Sequence, residues 1–202
     1  RCSLSFGNRR RSVVSSIPAV DPMRHLSALI QLRQTLHAHP RVSNHEGETV
    51  KRLQEFLCSH SLLPSHTNIG DGHGMVYEIR GEGGAGGPPL PMTADAPAPS
   101  VLLRADMDAL PLFEETPGIG HISTQPGVHH ACGHDGHTAM LLGAAKYLSE
   151  TRNFDGTVVV IFQPAEEGGG GGKEMCDDGM MERFGIQEVY GMHNWPGKPV
   201  GA

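Results

Sequence analysis

Residues 157–163 read Thr-Val-Val-Val-Ile-Phe-Gln, and no other stretch of the chain restricts its fold as tightly. Five consecutive apolar side chains leave an extended segment without a water-facing side, so a strand here must be covered on both faces. The covers are visible as helical periodicity elsewhere. Leu26, Leu29, Ile30, Leu32 and Leu36 recur at 3–4 spacing until His39-Pro40 stops the helix, and Val50, Leu53, Phe56 and Leu57 mark a second helix over about 45–60. Ala139, Met140, Leu141, Ala144, Ala145 and Leu148 predict a third over 136–150. Short apolar runs at 75–80, 101–105 and 187–192 predict further strands, the first two separated by a Gly/Pro/Ala-rich connection over 81–100 that cannot be regular. This alternation implies an α/β fold, a three-layer sandwich around a mixed, largely parallel sheet.

The 202 residues suffice for one ordinary core. A membrane partner is not expected, because no apolar run nears the ~18 residues of a spanning helix. Nor is nucleic acid, since 16 basic residues stand against 22 acidic ones for a net charge of −6. Residues 1–22 carry four arginines, and the first twenty contain no acid, which reads as a disordered leader or a mis-annotated start. Four scattered cysteines (Cys2, Cys58, Cys132, Cys176) have no framework spacing and point to reduced thiols in a cytoplasmic setting, with organellar targeting by residues 1–20 as the alternative.

Chemistry-bearing residues follow the strands. The run 101–105 leads into Asp106 and Asp108, 157–163 into Glu166 and Glu167, and 187–192 into His193, while the loop before the third helix carries Cys132, His134 and His137. Ligands gather at the carboxyl ends of strands in open α/β sheets, so four segments aim carboxylate, imidazole and thiolate groups at one edge. Carboxylates alone suit Mg²⁺ or Ca²⁺; with His and Cys beside them the set favours Zn²⁺, Mn²⁺, Co²⁺ or Ni²⁺. Of the 13 histidines, His25, His37, His39, His45, His60, His66 and His73 read as surface or supporting residues. The glycine run 168–172 does not make a phosphate loop: the required Gly before Gly-Lys is Glu167, and Glu174 follows Lys173. Its glycines instead let the backbone pass close to the site.

Four stretches together carry a resemblance: His130-Ala-Cys-Gly-His-Asp-Gly-His137, Leu103-Arg-Ala-Asp-Met-Asp-Ala-Leu-Pro111, Phe162-Gln-Pro-Ala-Glu-Glu-Gly168 and Gly191-Met-His-Asn-Trp-Pro196. With these four motifs in their order along the chain, it resembles the M20 metallopeptidases, in particular the amidohydrolase branch with hippurate hydrolases, N-acyl-amino-acid amidohydrolases and auxin-conjugate hydrolases. Arg41 departs from the pattern, which has an acid after the proline of Leu36-His-Ala-His-Pro40.

The resemblance implies a zinc-exopeptidase-like catalytic domain holding two divalent ions, Zn²⁺ or Mn²⁺, with Co²⁺ or Ni²⁺ also compatible. Cys132, His134, Glu167 and His193 would be the ligands, Glu166 the general base and acid, and Asp108 the carboxylate that orients a ligand histidine. Asp106 stands where other branches carry a ligand histidine, and His130 and His137 fall to supporting roles. The implied substrate is an N-acyl-amino acid, cleaved to a carboxylic acid and an amino acid; a dinuclear exopeptidase or dipeptidase and a catalytically incomplete metal-binding remnant are the alternatives. Family members are about twice as long, so residues 23–202 correspond to the N-terminal part of the catalytic domain. The lid or dimerisation domain, through which the full-length protein could form a homodimer, and the C-terminal catalytic part are not in this sequence, and the isolated chain is expected to be weakly active or inactive.

Overall fold

The computed structural model describes residues 21, 23–60, 62, 66–70, 72–83, 100–116 and 118–199. The expected leader, apart from Asp21 at its end, and residues 84–99 of the expected irregular connection lie outside the described residues. The elements run α1 (Leu26–Ala38), α2 (Gly47–Ser59), β1 (His66–Ile69), β2 (Gly74–Arg80), β3 (Ser100–Asp106), α3 (His134–Thr151), β4 (Thr157–Gln163), α4 (Gly171–Asp177), α5 (Met180–Arg183) and β5 (Ile186–Gly191).

One mixed sheet has the order β1-β2-β4-β3-β5. β3 pairs in parallel with β4 and β5, whereas β1–β2 and β2–β4 are antiparallel. The three parallel strands therefore end at the same edge, with Asp106 opposite Gln163 in register.

β4 is covered on both faces, and its alternation sorts its residues between two cores. Val160 and Phe162 join Leu36, Leu53, Leu57, Met75, Tyr77, Met107 and Leu142 beneath α1, α2 and α3. Val159 and Ile161 face the other way, onto Ile69, Val76, Leu102, Met175, Met180 and Phe184 beneath α4 and α5. Each fully buried side chain of this kind contributes about 1.5–3 kcal/mol. This is the three-layer α/β sandwich anticipated from the sequence.

Three local features differ from the sequence expectation. α3 begins at His134, two residues before the predicted start, because Gly133 adopts φ +92° as its N-cap. β1 has only four residues and too few apolar side chains to stand out. The close backbone approach expected of the glycine run is made to the turn after β4. The run opens α4 through Gly170 at φ +75°, and Gly171 sits so near the preceding turn that a Cβ would clash with the Pro164 carbonyl. Close backbone packing is its use here.

Candidate metal centre

The floor of the site is built where β3 ends. Asp108, fully buried, accepts hydrogen bonds at Oδ2 from the Ser43 hydroxyl (2.7 Å) and the Glu167 amide (2.9 Å). Its Oδ1 lies 3.3 Å from Nδ1 of His134, in the first turn of α3 and equally buried. A carboxylate on one imidazole nitrogen fixes the ring and its tautomer, which turns the other nitrogen outward. That nitrogen, His134 Nε2, faces Asp106 Oδ1 at 3.7 Å, Glu167 Oε1 at 3.7 Å and Glu166 Oε2 at 3.9 Å.

Asp106 and His137 support the floor from the side. His137 Nδ1 is 2.7 Å from Asp106 Oδ1 and its Nε2 is 2.6 Å from Asn194 Oδ1, while Arg104 Nη1 lies 2.8 Å from Asp106 Oδ2. Both nitrogens of His137 are thus engaged by protein partners. The rim is more open. Cys132 Sγ lies 3.3 Å from His193 Nε2, and the Glu166 side chain retains 40% of its exposure.

All four residues expected as ligands come together. One donor atom from each of Cys132, His134 and His193, and likewise from each of His134, Glu166 and Glu167, falls within 4.8 Å of the others, and His134 belongs to both groups. Glu166 and Glu167 sit on the turn after β4 and differ in reach, since the Glu167 amide is tied to Asp108 and the Glu167 side chain is the less exposed of the two. His130, expected in a support role, is buried beneath the cluster, and burial pushes its pKa down to about 4.

Sequence reasoning did not single out Ser43, Glu46 or Asn194. Glu46 is fully buried and its Oε1 accepts the Ala165 amide at 2.7 Å, holding Ala165 at φ +51° on the turn that presents Glu166 and Glu167. An acid at the head of an amphipathic helix reads as an ordinary helix start, so only the fold reveals its partner. Asn194 follows His193 directly, and that adjacency was the one available signal.

The electrostatics favour a cation. Burial opposes ionisation of Asp108, yet His134, the Ser43 hydroxyl and the Glu167 and Glu166 amides outweigh it and hold the carboxyl down at about 2. Burial also opposes a charge on His134, but the Asp108 carboxylate and the field of Asp106 raise its pKa. The Cys132 thiol is pushed up to about 12 by burial and by the carboxylates of Glu167, Asp106 and Glu166. Buried His134 Nε2 and Glu167 Oε1 have no hydrogen-bond partner. Orphaned donor atoms beside a thiol surrounded by carboxylates fit a divalent cation, which removes the repulsion and stabilises the thiolate. The S, N and O donors suit a borderline metal such as Zn²⁺ better than Mg²⁺ or Ca²⁺.

Comparison with known proteins agrees with this architecture. The chain is 49% identical over 166 residues to a hippurate hydrolase of Campylobacter jejuni, covering 82% of this chain and 39% of that protein. It is 39% identical over 173 residues to an N-acyl-L-amino acid amidohydrolase of Geobacillus stearothermophilus, covering 83% of this chain and 41% of the relative. The chain thus spans about two fifths of the length of these curated relatives. Among solved structures, a dinuclear metal-binding M20 peptidase of Bacillus subtilis superposes with a TM-score of 0.73 at 35% identity, over 87% of this chain and 45% of the other. The model of peptidase family M20/M25/M40 matches residues 102–202, which include every one of the candidate ligands. The chain belongs to peptidase family M20/M25/M40.

Proposed function

We propose that this chain carries the metal-binding half of an amidohydrolase that cleaves the amide bond of N-acyl-amino acids of the hippurate type. The observation that carries the reading is the convergence on His134 Nε2 of two adjacent glutamates with different reach, beside Cys132 and His193. The similarity to a hippurate hydrolase and an N-acyl-L-amino acid amidohydrolase supports the substrate class.

In this reading Cys132, His134, Glu167 and His193 hold two divalent cations, Zn²⁺ or Mn²⁺. When bound, such ions polarise the scissile carbonyl and lower the pKa of a bound water. Asp108 keeps the His134 ring aimed at the site and binds the Glu167 amide, so one carboxylate positions two ligands. Glu166, whose side chain is the more exposed of the two glutamates, accepts the proton of the attacking water and returns it to the leaving amine. Water adds to the carbonyl carbon, the C–N bond breaks, and the products are a carboxylic acid and a free amino acid. Cys132 serves as a thiolate, which fits a reducing, cytosol-like compartment. No described helix is long and apolar enough to cross a membrane.

The solved relative described as a peptidase favours a second reading, an exopeptidase acting on dipeptides at the same site. Steady-state hydrolysis of hippurate and other N-acyl-amino acids against unblocked dipeptides, by the Zn²⁺- or Mn²⁺-loaded chain alone and joined to the C-terminal catalytic part that the resemblance implies, decides between them. Preference for the acylated substrates is expected, together with loss of turnover but not of metal in Glu166→Gln. Preference for dipeptides establishes the second reading, and full activity in Glu166→Gln overturns the proposed mechanism.

A further inference from the structure

A second cluster of ligating groups lies where the end of α1 meets the loop before α3, and the proposed hydrolysis does not use it. His37, Glu114 and His129 bring one donor atom each within 4.8 Å of one another. His37 Nε2 is 2.9 Å from Glu114 Oε1, and His129 Nε2 is 3.5 Å from the same oxygen. Ligand atoms about 2.0–2.2 Å from a tetrahedral zinc stand roughly 3.3–3.5 Å apart. The His129–Glu114 separation meets that spacing, whereas the His37–Glu114 contact is a hydrogen bond that opens by a few tenths of an ångström when a cation takes the place of its proton.

His37 and Glu114 are each fixed by a further side-chain bond that leaves the donor atom aimed inward, and His129 is held through its backbone. His37 Nδ1 lies 2.9 Å from Asp135 Oδ2, the carboxylate–histidine arrangement that usually stands behind a metal-bound imidazole. Glu114 Oε2 accepts the Ser123 amide at 2.6 Å, which presents Oε1 to the histidines. The backbone of His129 pairs with Leu110 through two 3.0 Å hydrogen bonds. His37 and Glu114 are nearly inaccessible, whereas the His129 side chain keeps 15% exposure and supplies the way in. Arg33 also contacts Asp135 Oδ2, at 2.9 Å, so the outer carboxylate is partly neutralised and Glu114 provides the one anionic ligand.

We infer that His37, Glu114 and His129 form a separate binding site for a zinc-class divalent cation, with water completing the coordination. Two imidazole nitrogens and one carboxylate oxygen suit Zn²⁺ or Co²⁺ and lack the oxygen-rich shell that Ca²⁺ and Mg²⁺ require. The ion joins α1 to the loops on either side of residues 114 and 129, and its occupancy does not depend on what the Cys132 centre hydrolyses.

The test is a zinc titration of the unaltered chain followed by ¹⁵N NMR of its imidazoles. Metal-bound resonances are expected at His37 Nε2 and His129 Nε2, with His60, stacked on Phe56, unchanged. Resonances of His37 and His129 that stay put when the Cys132 centre is filled overturn the site. A stoichiometry measurement with Co²⁺ adds a second decision, because only the Cys132 centre gives a thiolate-to-cobalt charge-transfer band. In His129→Leu and in Glu114→Gln the bound metal is expected to fall by one ion with that band intact. An unchanged metal count in both variants refutes the proposal, and if a variant loses the band through misfolding, the imidazole resonances of the unaltered chain decide the question.

Discussion

The floor and the rim of the metal centre are built by different means. His134 and Asp108 at the floor are completely buried and are tied to Ser43, Glu167 and the end of β3, whereas Glu166, Cys132 and His193 at the rim remain accessible to different degrees. Floor residues are placed by long-range contacts that also hold the sheet edge to α3, so their chemistry cannot be separated from folding. Rim residues are placed by the turns after β4 and β5 and by the loop before α3, and carry little of the fold. Changes at the floor should therefore cost both stability and metal, and changes at the rim should cost function alone.

Asp108→Ala is the strongest way to break that contrast. It strips the carboxylate from buried His134 and leaves the Ser43 hydroxyl and the Glu167 amide without their acceptor, so a destabilisation of about 3–5 kcal/mol is expected, with loss of metal. Chemical denaturation and metal analysis measure both; a variant as stable as the parent would show that the floor is not structural. Glu166→Gln is the opposite case, with stability expected within about 0.5 kcal/mol of the parent and turnover lowered by about 10²–10⁴-fold. A large loss of stability there would erase the distinction. Glu46→Ala lies between the two: it leaves the buried Ala165 amide unpaired, at a cost of about 1–3 kcal/mol, and frees the turn bearing Glu166 and Glu167. A thermal shift with unchanged KM and kcat would mean that Glu46 supports the sheet without positioning the glutamates.

The same division explains what could be read from the sequence. The unbroken apolar strand 157–163 and the 3–4 spacing of α1, α2 and α3 announce the layers, because those patterns report burial directly. The candidate ligands are visible since each follows a strand, opens a helix or lies in the loop just before one. Hidden from the sequence are residues whose role depends on a partner far along the chain: Glu46 bonds a backbone 119 positions away, and Ser43 reaches Asp108 across 65. His37 reads as an ordinary helix-end histidine, yet it is buried between Asp135 and Glu114. α4 is hidden for a local reason, since a run of glycines has the lowest helix propensity short of proline and is tolerated there by contact with Pro164 and Ala165.

The smallest expected effect is on pH dependence, and it separates floor from rim within a single protein. Without metal, Asp108 and Asp106 raise the pKa of His134, so its protonated form stabilises the fold. That contribution is fully present below the unfolded-state value of about 6.5 and is lost as pH rises through the raised folded-state value, at about 1.4 kcal/mol for each unit of difference. Metal binding engages His134 as a neutral imidazole and Cys132 as a thiolate, both of which must release a proton, so affinity rises over the same window in which the metal-free fold weakens. The gap in melting temperature between metal-loaded and chelator-treated protein should therefore widen from pH 6 upward. In Cys132→Ser the metal-free curve should keep its shape while the metal-loaded curve falls, since the thiol is a rim group with little share in the floor. A metal-free stability that is flat over this range would mean that Asp108 and Asp106 do not favour the charged form of His134 in the folded chain, and the floor would then owe its stability to hydrogen bonding and packing alone.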